Sequence, residues 1–224
     1  MDEIVEAQLK KLALSNVTIV PLCNVETPEL LAVKDNRSSG EYCWTLTPFT
    51  FQMVFDLDAT VQRVTYLDAD LFFFDSPNVL LEELTKAEKH VLITEHGYDP
   101  KYDQSSESGK FCVQFVTFNR SSEAFRVMSK WQNQCLEWCF NRHENGRFGD
   151  QKYLDTWPSE FSEIVHIFQA PEKALAPWNV DFHTNNIAKE FSPTFYHFHG
   201  LRILSPNLIR LYTKYKISRQ GKLL

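Results

Sequence analysis

The stretch formed by residues 63–77 constrains this chain most, because it sets two aspartates between two apolar runs. Residues 64–67 are β-branched, aromatic or aliphatic, which is typical of a β-strand, and Asp68 and Asp70 follow where that strand should end. In an extended backbone both carboxylates project to one side while Ala69 projects to the other. Like charges held close together are costly unless a proton or a cation lies between them. Because oxygen ligands suit Mg²⁺ or Mn²⁺ better than zinc, we expect a site for one of these ions.

Composition limits the class of protein. The chain has 224 residues, 43% of them hydrophobic, so it can bury a sizeable core and fits a single domain spanning residues 1–224. Its net charge of −6 argues against general affinity for nucleic acids. The N-terminus is acidic, no apolar stretch is long enough to span a bilayer, and five cysteines occur without a Cys-x-x-Cys pair. These features predict a cytoplasmic protein, with Cys135 and Cys139 buried as apolar side chains.

Strand and helix patterns alternate along the chain. Apolar spacing predicts a helix at the N-terminus, a buried strand at 17–22, and a largely buried helix at 40–57, with Pro48 near a first turn or a kink. Further helices are expected at 77–84, 124–140 and 150–157, and further strands at 90–94, 111–118, 164–168 and 194–197. The polar stretch 99–110 reads as a mobile loop and a candidate lid. The alternation predicts an α/β fold with a mostly parallel sheet flanked by helices and a ligand site at the carboxyl ends of its strands.

Three short segments together resemble one family of enzymes. They are the Asp-x-Asp pair, the Gly-Asp-Gln segment at 149–151 and the Tyr-His-Phe-His-Gly segment at 196–200. In this order they resemble the nucleotide-sugar-dependent glycosyltransferases of the GT-A fold, most nearly the family 8 group with glycogenin and bacterial galactosyl- and glucosyltransferases. The resemblance covers roughly residues 35–204. It implies that Asp68 and Asp70 hold Mn²⁺ or Mg²⁺ against the diphosphate of a nucleotide-sugar, expected to be a UDP-sugar.

The resemblance implies a histidine as a further metal ligand. His197 and Gly200 have the family's His-x-x-Gly spacing, and imidazole with carboxylate oxygens suits Mn²⁺. His199 alternates in phase with His197, so either is a candidate, with His197 preferred. Gly200 would let the backbone approach the phosphates, and Arg202 is a candidate phosphate contact. The Lys-Pro-Trp that usually follows in the family is replaced here by Leu-Arg-Ile.

Other candidate site residues are carried over from the same family. Asp150 and Gln151 match its Asp-Gln segment beside the acceptor and the transferred sugar, although a carboxylate at a helix start is often only a cap. Asn119 resembles an asparagine of the sugar site, but the glycine that usually follows is replaced by Arg120. The loop that follows Pro177 could supply a ring that stacks on a sugar and an amide that bonds it. A buried aromatic anchor in a loop is an equally good interpretation. These last two candidates are Trp178 and Asn179.

The resemblance implies transfer of a glycosyl group to an acceptor hydroxyl, with retention at the anomeric carbon. The acceptor would be a carbohydrate, a lipid-linked molecule or a protein. Two other interpretations stay open: a truncated or degenerate protein that binds nucleotide-sugar without turnover, and, more remotely, a phosphatase or phosphotransferase of the haloacid-dehalogenase kind. In the latter, Asp68 would carry the phosphoryl group, but Leu71 and Phe72 follow where small residues are usual.

Two expectations concern the ends of the chain. Compared with GT-A enzymes, the chain is expected to lack the first βα unit, so that residues 1–60 form a partial nucleotide-binding half and residues 61–204 the metal, sugar and acceptor half. Residues 205–224 form a basic, aromatic tail. We interpret the tail as a solvated terminal helix or arm, and the alternative is a weak, peripheral foothold on an anionic membrane.

Overall fold

The computed structural model of this protein describes residues 3–184, 192–210 and 214–218. Its helices are α1 (Glu3–Lys11), α2 (Pro28–Lys34), α3 (Ser39–Leu57), α4 (Asn78–Lys86), α5 (Ser105–Ser108), α6 (Ser122–Glu137), α7 (Trp157–Glu160) and α8 (Val180–Thr184). Short 3₁₀ turns lie at Leu22–Asn24, Pro100–Tyr102, Gln151–Thr156 and Pro171–Lys173. The strands are β1 (Arg63–Leu67), β2 (Leu71–Phe73), β3 (Val91–Glu95), β4 (Phe111–Asn119), β5 (Val165–Ile167), β6 (Ala174–Leu175), β7 (Phe195–His197), β8 (Arg202–Ser205) and β9 (Leu208–Arg210).

The strands form a four-stranded sheet in the order β1-β4-β3-β5, a three-stranded sheet in the order β2-β7-β6, and the β8-β9 hairpin. The predicted α/β class is confirmed, with helices flanking the sheets. The expected parallel character is wrong: four of the six strand pairings in the described residues are antiparallel. β4 explains most of this difference. It lies between β1 and β3 and runs antiparallel to both. The segment from β3 to β4 reverses the chain without a long crossover helix, which a parallel pair would need.

Helix α3 is the main support of the four-stranded sheet. Ser38 and Glu41 cap its start in a reciprocal capping box, and its inner face buries Phe51 and Phe55. Phe51 packs edge-on against Phe118 of β4, with ring centroids 4.7 Å apart. Pro48 lies in the middle of α3 rather than near its first turn, and its carbonyl accepts a hydrogen bond from Gln132 of α6. Pro48 has no N–H to donate to the preceding turn, yet α3 continues through it, and α6 contributes the hydrogen bond to its carbonyl.

The N-terminal helix is confirmed as α1, but the strand expected at 17–22 is wrong. No described strand pairs with these residues, and half of the Val17 side chain is exposed. Without a partner strand, the backbone N–H and C=O groups of an extended segment have no inter-strand hydrogen bonds. Apolar residues alone therefore do not make a strand. Cys135 and Cys139 are buried and free, as predicted.

The C-terminal tail does not form the predicted helix in the residues that the structure describes. Leu208–Arg210 belongs to the β8-β9 hairpin, and residues 214–218 lie against the body of the protein. The rest of the tail lies outside the described residues. This packing lends no support to a membrane foothold. Among the described helices, none combines the length and apolar character that a membrane span requires.

Candidate metal centre and adjoining cleft

Asp68 and Asp70 lie in the short turn that joins β1 to β2. The Asp68 amide donates to the Gln114 carbonyl of β4 at 3.1 Å, and the Asp70 carbonyl accepts from the Phe198 amide at 2.8 Å. The turn is therefore tied to the four-stranded sheet on one side and to the end of β7 on the other. The expected position of the aspartates at a strand end is confirmed.

His197 completes a cluster with the two aspartates. Its Nε2 lies 3.0 Å from Asp70 Oδ1 and 3.6 Å from Asp68 Oδ2. One potential ligand atom from each of the three side chains lies within 4.8 Å of the other two. His197 is buried, whereas Asp70 is exposed, so the cluster is open on one side. His199 does not belong to this group in the described part of the chain.

Two neighbouring side chains fix the orientation of these groups. His197 Nδ1 lies 2.7 Å from Gln114 Oε1, so Nδ1–H donates to the amide oxygen and the ring is held with Nε2 directed at the aspartates. The Tyr66 hydroxyl donates to Asp68 Oδ1 at 3.0 Å. Partners of this kind hold metal ligands in one orientation and tautomer.

The two carboxyl groups have pKa values shifted in opposite directions. Burial is the main cause that raises the pKa of Asp68, and the charge of Asp70 adds to it, while His197 acts against it. The hydrogen bond with His197 is the main cause that lowers the pKa of Asp70. A divalent cation would stabilise the charged form of both groups at once. Two carboxylates and one imidazole, with ligand atoms within 4.8 Å of one another and open on one side, fit Mn²⁺ or Mg²⁺.

A cleft of about 330 Å³ adjoins the cluster. Asp68 and His197 reach its wall, and Lys214 contributes the one fixed positive charge among the described lining residues. Several aromatic rings form much of the remaining wall: Trp44, Tyr98, Phe148, Trp178 and Tyr215. Part of the predicted lid also lines the cleft, through Gln104 and Ser108. Its mobility stays a prediction.

Asp150 and Gln151 both line the cleft. Gly149 precedes them with φ +52°, and a Cβ atom there would lie 3.3 Å from the Trp44 ring. Asp150 is 5% exposed, and its side chain makes no cap bond to the 3₁₀ turn that follows. Burial raises the pKa of Asp150 to about 7, although a hydrogen bond from Thr47 favours the charged form. The structure thus gives Asp150 a buried carboxyl group at the cleft instead of a helix cap.

Trp178 and Asn179 differ in their position relative to the cleft. Trp178 lines the cleft, donates from Nε1 to the His96 carbonyl at 2.8 Å, and meets the His197 ring edge-on with centroids 5.4 Å apart. The Asn179 side chain instead bonds the backbone, accepting from Ala176 and donating to His96 and Ala174. The Asn179 amide therefore holds the loop, and it does not reach the cleft wall.

Three other predicted site residues are not brought to the cleft. Asn119 lies at the far end of β4, where its side chain bonds Arg63 and the Lys89 carbonyl. Arg202 is exposed on β8, outside the lining. Gly200 lies outside the lining, with φ +81° and no atom within 4 Å of a Cβ added to it. The structure thus leaves these three residues outside the cleft lining, and their roles at the sugar and the phosphates stay predictions.

Several residues at the site were not predicted. Gln114 gives a usable signal, since it is a long polar side chain inside the largely apolar β4 and is buried. Tyr66 also has one, because it is two residues before Asp68 on the same strand face. His96, Lys214 and Tyr215 have none, since only the tertiary fold brings them to the cleft.

Comparisons with known proteins agree with a GT-A-like α/β protein. No protein-family model matches the chain. The chain is 32% identical to the uncharacterized protein YfnF of Bacillus subtilis (strain 168), over 94% of this chain and 73% of YfnF. It is 31% identical to the uncharacterized protein YfnD of the same organism, over 92% of this chain and 68% of YfnD. The chain belongs to the family of YfnF and YfnD.

The fold also occurs in a solved structure of low sequence identity to this chain. It is mouse xyloside xylosyltransferase 1 in its apo form, with a TM-score of 0.53 and 15% identity over 88% of this chain and 80% of that chain. The likeness concerns the fold. The function of this chain therefore has to be argued from its own site.

Proposed function

We propose that this protein is a glycosyltransferase that moves a sugar from a nucleotide-sugar, with a divalent cation held by Asp68, Asp70 and His197. The observation that carries the proposal is the convergence of these three side chains on one point, beside a cleft, in a GT-A-like fold. A bound Mn²⁺ or Mg²⁺ would neutralise charge on a diphosphate leaving group. The family 8 resemblance extends the proposal to a UDP-sugar donor and to retention at the anomeric carbon.

The cleft has groups suited to each part of such a donor. Lys214 is the cation available to the diphosphate, in the place that the sequence led us to expect Arg202 to take. Trp178 and Tyr215 offer ring faces, which suit the apolar face of a sugar or a base. The acceptor hydroxyl would come from a carbohydrate, a lipid-linked molecule or a protein.

Asp150 is proposed to orient the acceptor or to stabilise positive charge on the transferred sugar. Its carboxyl group is buried at the cleft, and its pKa of about 7 makes it able to hold or release a proton near neutral pH. Gln151 holds the end of α5 beside the cleft, since its Nε2 donates to the Ser108 carbonyl at 2.9 Å. The proposal assigns no covalent nucleophile.

A screen of UDP-sugars tests the proposal. We expect release of UDP from at least one donor in the presence of Mn²⁺, loss of release in EDTA, and loss in the Asp70→Ala variant. Binding of UDP and Mn²⁺ without turnover of any donor would favour the non-catalytic interpretation. If the protein neither binds UDP with Mn²⁺ nor turns over any donor, the proposal is overturned. Hydrolysis of simple phosphate esters through Asp68 would favour the haloacid-dehalogenase interpretation.

A further inference from the structure

The C-terminal segment, which comprises residues 214–218, supplies part of the cleft wall. Lys214 and Tyr215 line the cleft. Lys214 is exposed, and its side chain makes no hydrogen bond or ion pair with any residue that the structure describes. Its ammonium group is therefore available to an anion in the cleft, but no contact of its own holds it there. The contacts described for this segment come from the residues that follow Lys214.

The Asp181 carboxylate holds the end of the C-terminal segment. Asp181 lies in the first turn of α8, is 8% exposed and does not line the cleft. The Ser218 amide donates to Asp181 Oδ2 at 2.9 Å and to Oδ1 at 3.1 Å, and the Ser218 hydroxyl donates to Oδ1 at 2.8 Å. Lys101 Nζ lies 3.6 Å from Asp181 Oδ2, so the buried carboxylate has a counter-charge. Hydrogen bonds to a charged acceptor are stronger than those between neutral groups, so this contact holds Ser218 firmly.

Two further contacts hold the segment between its ends. The Lys216 amide donates to the Tyr102 hydroxyl at 2.8 Å, and that hydroxyl donates to the Lys216 carbonyl at 3.2 Å. Ile217 packs against a buried apolar cluster that contains Val180, the residue before Asp181 in α8. With these contacts in place, the Cα atom two residues before Lys216 stays within about 7 Å of a fixed point. The side chain at that position is the one that reaches the cleft.

We propose that Asp181 is a positioning residue, which fixes the C-terminal segment through Ser218 and so keeps Lys214 at the diphosphate of the donor. This inference rests on the proposed function, in which Lys214 meets that diphosphate. Asp181 itself touches no part of the donor. An anion that binds to a cation already held in place does not have to order the segment on binding, so loss of the Asp181 contact weakens the binding of UDP. The effect acts through Lys214 and disappears when Lys214 is removed.

Four variants separate this role from a general effect on the fold. Asp181→Ala removes the acceptor of both Ser218 donors. Asp181→Asn loses the charge and the ion pair with Lys101 but keeps an oxygen that can accept from Ser218. Glu172→Ala is the matched control, because Glu172 lies in the 3₁₀ turn before β6 and its carboxylate makes no hydrogen bond or ion pair with a described residue. Lys214→Ala, alone and combined with Asp181→Ala, tests the route of the effect.

Two measurements are made on each protein: hydrogen exchange without ligand, and calorimetric titration of UDP with Mn²⁺. We expect Asp181→Ala to accelerate exchange at the Ser218 amide at least about tenfold, and to lower UDP affinity about 5- to 20-fold. Asp181→Asn should keep UDP affinity within about threefold of wild type, and Glu172→Ala should match wild type. In the Lys214→Ala protein, adding Asp181→Ala should lower UDP affinity by no more than about a further twofold.

Unchanged UDP affinity in Asp181→Ala, equal loss in Asp181→Asn, or the full loss repeated in the Lys214→Ala protein would each overturn the inference while the proposed function stands. If Asp181→Ala does not fold, Ser218→Ala gives the test, because it removes one donor and leaves α8 unchanged. It should lower UDP affinity about two- to fivefold, and unchanged affinity would overturn the inference. If the wild type itself does not bind UDP with Mn²⁺, the proposed function fails and this inference fails with it.

Discussion

Gln114 and His197 are 83 residues apart in sequence, yet the Gln114 amide oxygen lies 2.7 Å from His197 Nδ1. The contact sets the tautomer of the histidine and directs its other nitrogen at the two aspartates. We expect Gln114→Leu to weaken Mn²⁺ binding by about 10- to 100-fold although no ligand is removed. Titration of Mn²⁺ followed by calorimetry measures this.

Gln114→Glu is the matched control for that change. It keeps an oxygen acceptor for His197 Nδ1, so Mn²⁺ affinity should remain at or above the wild-type value. Equal weakening in both variants would show that Gln114 acts through packing and would remove its orienting role.

Asp150 should make stability depend on pH. Its folded-state pKa of about 7 lies above its ordinary value of 3.8, so the folded protein holds the proton more tightly than the unfolded chain. Stability contributed by the protonated form is present below about pH 4 and is lost as the pH rises through about 7. Asp150→Asn removes this loss, and we expect it to gain about 2–4 kcal/mol relative to wild type between pH 4 and pH 8.

Urea denaturation in EDTA at pH 4, 6 and 8 measures this difference. The advantage of Asp150→Asn should grow with pH and level off above pH 7. A difference that stays constant across the three pH values would mean that the buried carboxyl group has an ordinary pKa.

Gly149 should tolerate no side chain. Gly149→Ala places a Cβ atom 3.3 Å from the Trp44 ring on a backbone with φ +52°, and we expect a loss of about 1–3 kcal/mol in the free energy of unfolding. Gly146→Ala is the control, since it has φ +75° but nothing within 4 Å. If both variants lose the same stability, the contact with Trp44 contributes nothing.

Tyr102 should anchor the C-terminal segment over the cleft. Its hydroxyl accepts from the Lys216 amide at 2.8 Å and donates to the Lys216 carbonyl at 3.2 Å. Tyr102→Phe keeps the edge-on contact with the Tyr215 ring but loses both bonds. We expect hydrogen exchange at the Lys216 amide to accelerate about 5- to 10-fold. Unchanged exchange would indicate that other contacts hold the segment.

The sequence predicted best what depends on neighbouring residues. The strand before Asp68 and the helix predicted at 124–140 depend on local patterns, and the structure confirms both, the helix as α6 (Ser122–Glu137). The predicted parallel strand direction was wrong, because β4 pairs with strands on both sides and no local sequence pattern indicates the relative direction of paired strands. The strand at 17–22 failed for a related reason, since its formation needs a partner.

The candidate site was predicted only in part for the same physical reason. Asp68, Asp70 and His197 could be expected to lie together because the resemblance to GT-A glycosyltransferases implies that they hold one metal ion. Asn119 shares a family pattern, yet its side chain is used to tie Arg63 and Lys89 at the opposite end of β4. The position of His96 at the cleft depends on backbone hydrogen bonds with Lys110, Trp178 and Asn179, which spacing does not encode.

The most direct test of the metal centre is calorimetric titration of Mn²⁺ with UDP into three proteins. Asp75→Ala is the matched control, because Asp75 lies five residues after Asp70 and its carboxylate bonds only the adjacent Ser76 amide among the contacts described for it. We predict binding by wild type and Asp75→Ala, and at least a 100-fold loss in Asp70→Ala. Binding of equal strength by Asp70→Ala and wild type, or no binding by wild type, would contradict the assignment of the metal centre.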